Sequence, residues 1–174
     1  LFGTLPEPKT SENIQPMEQF DQGWGTILYR TTLPAVTSGT TLLITEVHDW
    51  AQVYANGKLL GRLDRRRGEN SLKLPALAAG TQLDILIEAM GRVNFDKAIH
   101  DRKGITEKVE LLNESSTQEL KNWQVYSFPV DYPFVKEKKY APGKKLDGPA
   151  YYRATFNLEE AGDVRLLTPH SCRH

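Results

Sequence analysis

From Met17 to about Asn113, apolar and polar residues alternate in short segments of period two. Ile27, Tyr29, Thr31 and Leu33 alternate with Leu28, Arg30 and Thr32, and Leu83, Ile85, Ile87 and Ala89 alternate with Asp84, Leu86 and Glu88. A pleated strand presents this period, so both segments are predicted to be strands. Between them, Val53-Tyr54-Ala55-Asn56-Gly57-Lys58-Leu59-Leu60 joins two β-type runs through Asn-Gly, a pair that tolerates the positive φ angles of a type I′ turn. Pairing across that turn sets Tyr54 opposite Leu59 and Val53 opposite Leu60. Apolar side chains then fall on both faces, as in a strand covered on both sides. Residues 123–130 predict one more strand. No apolar spacing of i, i+3, i+4, i+7 lasts three turns, and the best helical segment, 115–120, is only a turn and a half long. The pattern is that of an all-β chain, a sandwich or jelly roll.

Residues 1–16 carry Pro6, Pro8 and Pro16 among polar residues, which predicts an extended lead-in. Comparing the chain with itself reveals a repeat. Leu28-Tyr29-Arg30-Thr31-Thr32-Leu33 recurs as Tyr151-Tyr152-Arg153-Ala154-Thr155-Phe156, and Gly39 to Thr45 recurs as Gly162 to Thr168, both displaced by 123 positions. Two strands can resemble each other by chance, but the shared register favours duplication. The expected organisation is therefore a lead-in over 1–16, a first jelly roll over 17–113, a strand and basic linker over 114–149, and the truncated start of a second jelly roll over 150–174. The linker includes the charged run from Lys136 to Lys145. Strands over 151–158 and 164–168, cut off from their sheet, would expose edges and apolar side chains such as Tyr152, Phe156 and Leu166. They are expected to pack on the first unit or to pair with a second copy of the chain.

Composition narrows the function classes. The 174 residues are too few for a complete (β/α)8 barrel, which needs roughly 250. Lys and Arg number 22, matched by 22 Asp and Glu, which disfavours general attraction to nucleic acid or an anionic membrane. No stretch approaches the roughly 18 apolar residues of a membrane-spanning helix. The first residues lack Met and a signal-like pattern, so the expectation is a chain that begins mid-protein or after processing. The single cysteine, Cys172, offers no internal disulfide or Cys-based metal site. His48, His100, His170 and His174 have no ligand spacing, and neither a metal nor a cofactor is expected.

Three segments invite a chemical reading. Arg62, Arg65, Arg66 and Arg67 suggest either a phosphate or acidic-sugar site or a solvated turn, and zero net charge favours the turn. Trp24, between Gly23 and Gly25, reads as an exposed platform for a sugar ring or as a buried Trp leading into a strand. The segment 90–104 is long, polar and bounded by Gly91 and Gly104, as functional loops are. Its Asp96 and Asp101 evoke a glycosidase acid/base pair, but two carboxylates on one loop have no visible reason to bracket a bond. The alternative is a loop salt-bridged through Arg92, Lys97, Arg102 and Lys103. The candidates for facing a carbohydrate are Trp24, Arg92, Asn94, Phe95, His100 and Asp101, and none is a candidate for catalysis.

The residues from Phe2 to Pro8, Met17-Glu18-Gln19-Phe20 and Gly25 to Thr31 carry a family likeness. It continues through Val47-His48-Asp49-Trp50-Ala51-Gln52-Val53, Asn56-Gly57, Leu63-Asp64-Arg65, Met90 to Phe95, Asp101 to Ile105 and Trp123 to Pro129. As a set, over about residues 1–160, they resemble the region following the catalytic barrel in β-galactosidases of glycoside hydrolase family 35. The resemblance implies galactose-binding-like β-sandwiches appended to a barrel that holds two catalytic glutamates, neither of which falls in this chain. It further implies a periplasmic, extracellular or lysosomal location, and a loop over 91–104 that leans toward the barrel's sugar-binding mouth. In that loop Ala98 stands where an aromatic is expected. The leading expectation is a non-catalytic sandwich that supports the barrel and its substrate entrance. The competing one is a carbohydrate-binding module recognising galactose-containing glycans, with Trp24, Trp50 or Phe95 stacking on sugar. An independent hydrolase has no supporting motif.

Overall fold

The computed structural model describes residues 5–95, 97, 99–128, 132–140 and 150–157. The strands are β1 (Lys9–Ser11), β2 (Thr26–Thr32), β3 (Thr41–His48), β4 (Trp50–Ala55), β5 (Lys58–Asp64), β6 (Ser71–Lys73), β7 (Gln82–Glu88), β8 (Gly104–Leu112), β9 (Thr117–Glu119) and β10 (Trp123–Phe128). They form a six-stranded sheet in the order β1-β10-β2-β7-β4-β5 and a four-stranded sheet in the order β6-β3-β8-β9, with every pairing antiparallel. The protein is an all-β sandwich, as the period-two pattern predicts.

The inward side chains of the two sheets make one core. Ile27, Tyr29, Val53, Leu83, Ile85, Ile87, Trp123 and Val125 from the larger sheet join Leu42, Ile44, Ile105, Val109 and Leu111 from the smaller. Tyr29 lies at its centre, edge-on to Phe20 and to Trp123 with ring centroids 6.4 Å away in each case. The outer face of the larger sheet holds a second buried cluster of Leu28, Tyr54, Leu86, Tyr126 and Phe128. Beside it Arg30 grips Asp84 with two nitrogens, at 2.6 and 3.1 Å. Apolar residues on both faces of β2, β4 and β7 follow from this two-sided cover.

The hairpin is where Asn-Gly places it, with φ of 47° at Asn56 and 78° at Gly57. Tyr54 opposes Leu59 as expected, but Val53 opposes Gly61 instead of Leu60. A bulge at Leu60 inserts one residue, so Leu59 joins the outer cluster while Leu60 packs on the main core.

The sandwich takes in residues on both sides of the expected 17–113 span. Thr10 and its neighbours in the lead-in pair with β10, Ile14 is buried, and β9 and β10 belong to the two sheets. The segment considered for a short helix contains β9, which pairs with β8. Among the described residues the regular helix is one short piece, Tyr132–Lys136, with 3-10 turns at Met17–Phe20 and Arg65–Arg67. None is long and apolar enough to cross a membrane.

By compactness the chain divides into Leu1–Lys138 and Lys139–His174. In the second unit, residues 150–157 form no strand, correcting the strand expected over 151–158. A strand needs a ladder of backbone pairing with a neighbouring strand, and no such ladder runs along 150–157 among the described residues. Tyr152 and Phe156 are exposed, and the Arg153 guanidinium lies 5.5 Å from the Tyr140 ring centroid. The repeat over 162–168 and most of the basic linker, 141–149, lie outside the described residues.

Candidate functional site

The long connection between β7 and β8 starts at Ala89 and ends at Lys103, at the end of the sandwich where the chain crosses from β3 to β4. Asp49 is the crossing residue. One of its oxygens, Oδ2, accepts from the Met90 N–H at 2.7 Å, and the same oxygen takes Lys103 Nζ at 2.7 Å. Lys103 Nζ also reaches Asp101 Oδ2 at 2.7 Å and the Gly91 carbonyl at 3.2 Å, so all three ammonium protons have acceptors. Arg65, from the 3-10 turn after β5, bridges the same two carboxylates from outside at 2.9 and 2.8 Å. The Val93 N–H donates to Asp101 Oδ2 at 3.2 Å. Both ends of the connection are thus tied to one four-residue lattice.

Lys103 is 1% exposed, a placement that is severe for an ammonium unless it is paired. Two cations against two buried carboxylates leave the lattice neutral, which is what makes the burial tolerable. Burial alone pushes the Asp49 and Asp101 carboxyls up. Hydrogen bonds from Lys103 and Arg65, and from the Met90 and Val93 amides, outweigh it and hold both below the usual carboxylate range. A depressed folded-state pKa stabilises the fold above the unfolded value of about 3.9 and stops doing so as the pH falls through the folded value. The urea midpoint of the chain is therefore expected to be level from pH 7 to about 5 and to fall progressively below about pH 4. A midpoint at pH 3 equal to that at pH 7 contradicts the lattice.

A second layer surrounds it. His48 meets the Arg102 carbonyl through Nδ1 at 2.5 Å and Glu46 through Nε2 at 2.9 Å. The Lys103 backbone is held from both sides, its carbonyl accepting from Met17 N–H at 2.8 Å and its N–H donating to Glu18 at 3.0 Å. Arg92 donates to the Asp101 carbonyl at 2.8 Å and to the Gly23 carbonyl at 2.7 Å, and pairs with Glu18 at 2.6 Å.

Of the six carbohydrate-facing candidates, Asp101 is turned inward and its carboxylate is consumed by Lys103, Arg65 and Val93. With its side chain only 2% exposed and both oxygens held by protein donors, it is turned away from solvent, so the salt-bridged alternative describes it. Arg92 is likewise spent on protein partners, although its side chain is partly exposed. Trp24 is 55% and Phe95 82% exposed, and Asn94 and His100 are exposed with them. Trp24 is therefore exposed, not a buried Trp leading into its strand. Asp96 and Ala98 lie outside the described residues. Within the arginine cluster, Arg65 belongs to the lattice and Arg66 closes on Asp64 at 2.6 Å, which helps hold that carboxyl down to about 2. Asp49, Glu18 and Arg65 enter the sequence reading only within the family motifs and the arginine cluster, and their ion-pairing roles were not singled out. Each stands far along the chain from its partners.

A family model described as "Beta-galactosidase, first all-beta domain" matches residues 15–129, the span of the sandwich from its first buried turn to β10. The chain belongs to that family. The β-galactosidase of Xanthomonas manihotis is 35% identical to this chain over 167 residues, covering 95% of the chain and 27% of the relative. The Bos taurus β-galactosidase is 37% identical over 126 residues, covering 69% and 18%. Beta-galactosidase-1-like protein 3 of Rattus norvegicus is 31% identical over 159 residues, covering 88% and 24%. The chain thus spans about a quarter or less of the relatives it matches, which are much longer proteins.

Proposed function

We propose that this all-beta domain is a non-catalytic part of a retaining β-galactosidase of glycoside hydrolase family 35, placed after a catalytic barrel. There it buttresses the barrel and shapes the entrance for terminal β-galactosides. The observation that carries this reading is the 91–103 connection. Its base is locked by a buried ionic lattice, yet the tip bears the exposed apolar side chains of Val93, Phe95 and Ile99. Large apolar groups held out on a fixed base suit a contact with polypeptide or ligand better than they suit water. The expected location is periplasmic, extracellular or lysosomal.

Catalysis would reside outside these residues, so the 174-residue chain is expected to show no turnover of a chromogenic β-galactoside while the longer protein turns it over. Turnover by the chain comparable to that of the longer protein overturns the assignment. A carbohydrate-binding module is the second reading, favoured by the exposure of Trp24 and Phe95. Titration with galactose and galacto-oligosaccharides, followed by Trp fluorescence, separates the two. No saturable change at millimolar sugar is expected for the supporting role. The exposed Tyr152 and Phe156 are in turn proposed to meet a second copy of the chain. Light scattering after size exclusion should then give a dimer mass, and a strict monomer excludes that contact.

A further inference from the structure

Trp24 combines high exposure with a tightly held backbone. Its own carbonyl accepts from the Nε2 of buried Gln22 at 2.9 Å, and the same Nε2 reaches the Thr26 carbonyl at 2.9 Å. On its other side, the Gly23 carbonyl takes two nitrogens of Arg92, Nη2 at 2.7 Å and Nε at 3.3 Å. The turn carries glycine at both flanks, with φ of 86° at Gly25, and left to itself it would wander. It is pinned on both sides of an aromatic ring that is itself half in water. Fixing an exposed aromatic in advance lowers the ordering cost of whatever later covers it.

Arg92 does more than hold the turn. Its Nη1 donates to the Asp101 carbonyl at 2.8 Å and its Nη2 also pairs with Glu18 at 2.6 Å. A single planar guanidinium therefore joins the Gly23–Gly25 turn, the two ends of the 91–103 connection and the 3-10 turn at Met17–Phe20. Lysine is a poor substitute at this position, because its donors share one atom, whereas the guanidinium sets Nη1 toward the Asp101 carbonyl and a separate Nη2 toward the Gly23 carbonyl and Glu18.

We propose that Arg92 is a positioning residue. It fastens the turn carrying Trp24 to the segment carrying Val93 and Phe95, so that the two are presented in one fixed geometry, and this geometry sets substrate affinity in the longer enzyme. The second part rests on the reading that these segments border a substrate entrance.

The test uses the longer protein with Arg92→Gln and Arg92→Lys, reading hydrogen exchange of the 23–25 and 91–100 peptides together with kinetics on a chromogenic β-galactoside. Exchange is expected to rise in both peptides in both variants, with core strands unchanged. KM should rise about fivefold while kcat stays within about twofold. A rise in neither peptide, or in only one, overturns the coupling. A rise in both with unchanged KM leaves the coupling standing and overturns the entrance reading. Equal loss of kcat and of thermal stability without selective exchange marks a purely structural role and overturns the proposal. Should Arg92→Gln fail to fold, Arg92→Lys, which keeps the charge next to Glu18, carries the same readouts.

Discussion

Lys103→Met is expected to destabilise the sandwich by about 3–5 kcal/mol, read as a drop in the urea midpoint at pH 7 with little change in slope. Methionine matches the length of the stem and fills the same space, so the loss is not one of packing. What changes is the charge count. Asp49 Oδ2 and Asp101 Oδ2 both lose a donor at 2.7 Å, and two nearly buried carboxylates are left facing each other with only Arg65 between them. A buried pair broken from one side costs far more than the pair contributes when intact, because the desolvated partner charge remains. It follows that restoring neutrality should recover stability. Lys103→Met combined with Asp101→Asn leaves one carboxylate against one guanidinium, and the amide oxygen of Asn can still accept from the Val93 N–H. The double variant is expected to be more stable than the single one at pH 7. A single variant costing under about 1 kcal/mol, or a double variant worse than the single, shows that the ammonium does not balance these carboxylates.

One residue further on, Gly104→Ala is expected to cost about 4 kcal/mol for a single methyl group. Gly104 has φ of 87°, a region that side chains rarely occupy, and a Cβ there would overlap the Tyr29 hydroxyl and come within 3.1 Å of the Met17 nitrogen. Neither neighbour can yield. Tyr29 lies in the middle of the core with its hydroxyl donating to the Gln15 carbonyl at 2.9 Å, and Met17 N–H is bonded to the Lys103 carbonyl. Burial, the largest influence on the Tyr29 phenol, raises its pKa well above the usual value, so the hydroxyl stays a donor across the working range. Gly57→Ala is the control. Its φ of 78° imposes similar backbone strain, but nothing lies within 4 Å of a Cβ there. It is expected to cost about 1 kcal/mol. Equal losses at the two positions would mean that backbone strain alone, and not close approach, governs Gly104.

The larger strands were legible because their signal is local. β2 and β7 alternate over seven residues each, and Asn-Gly sets the hairpin without help from distant parts of the chain. The three-residue strands β1 and β9 carry too few positions to show a period, and both owe their conformation to a neighbour, β10 or β8. The Leu60 bulge has the same character. Leu59 and Leu60 are equally apolar, and the choice of which one faces the main core is made by the packing on either side of the sheet.

The connection from Ala89 to Lys103 divides in the same way. Its length, polarity and bounding glycines marked it as a loop worth attention, and alternation marked the sheets that hold it. The fate of its charges was invisible, since an Arg-Lys pair at 102 and 103 looks like any solvated turn. Lys103 is buried because Asp49, 54 positions away, and Asp101 converge on it, and because Arg65 reaches Asp101 across 36 positions. Hydrophobic period is a property of neighbouring residues, so the sequence alone determined an all-β sandwich and its Asn-Gly hairpin, while the finished sheet put that hairpin at an edge, with β5 outermost. Charge compensation is a property of residues brought together by the finished fold. Only the tertiary structure could decide that Lys103 and Asp101 brace the loop from within, while Trp24 and Phe95 face outward.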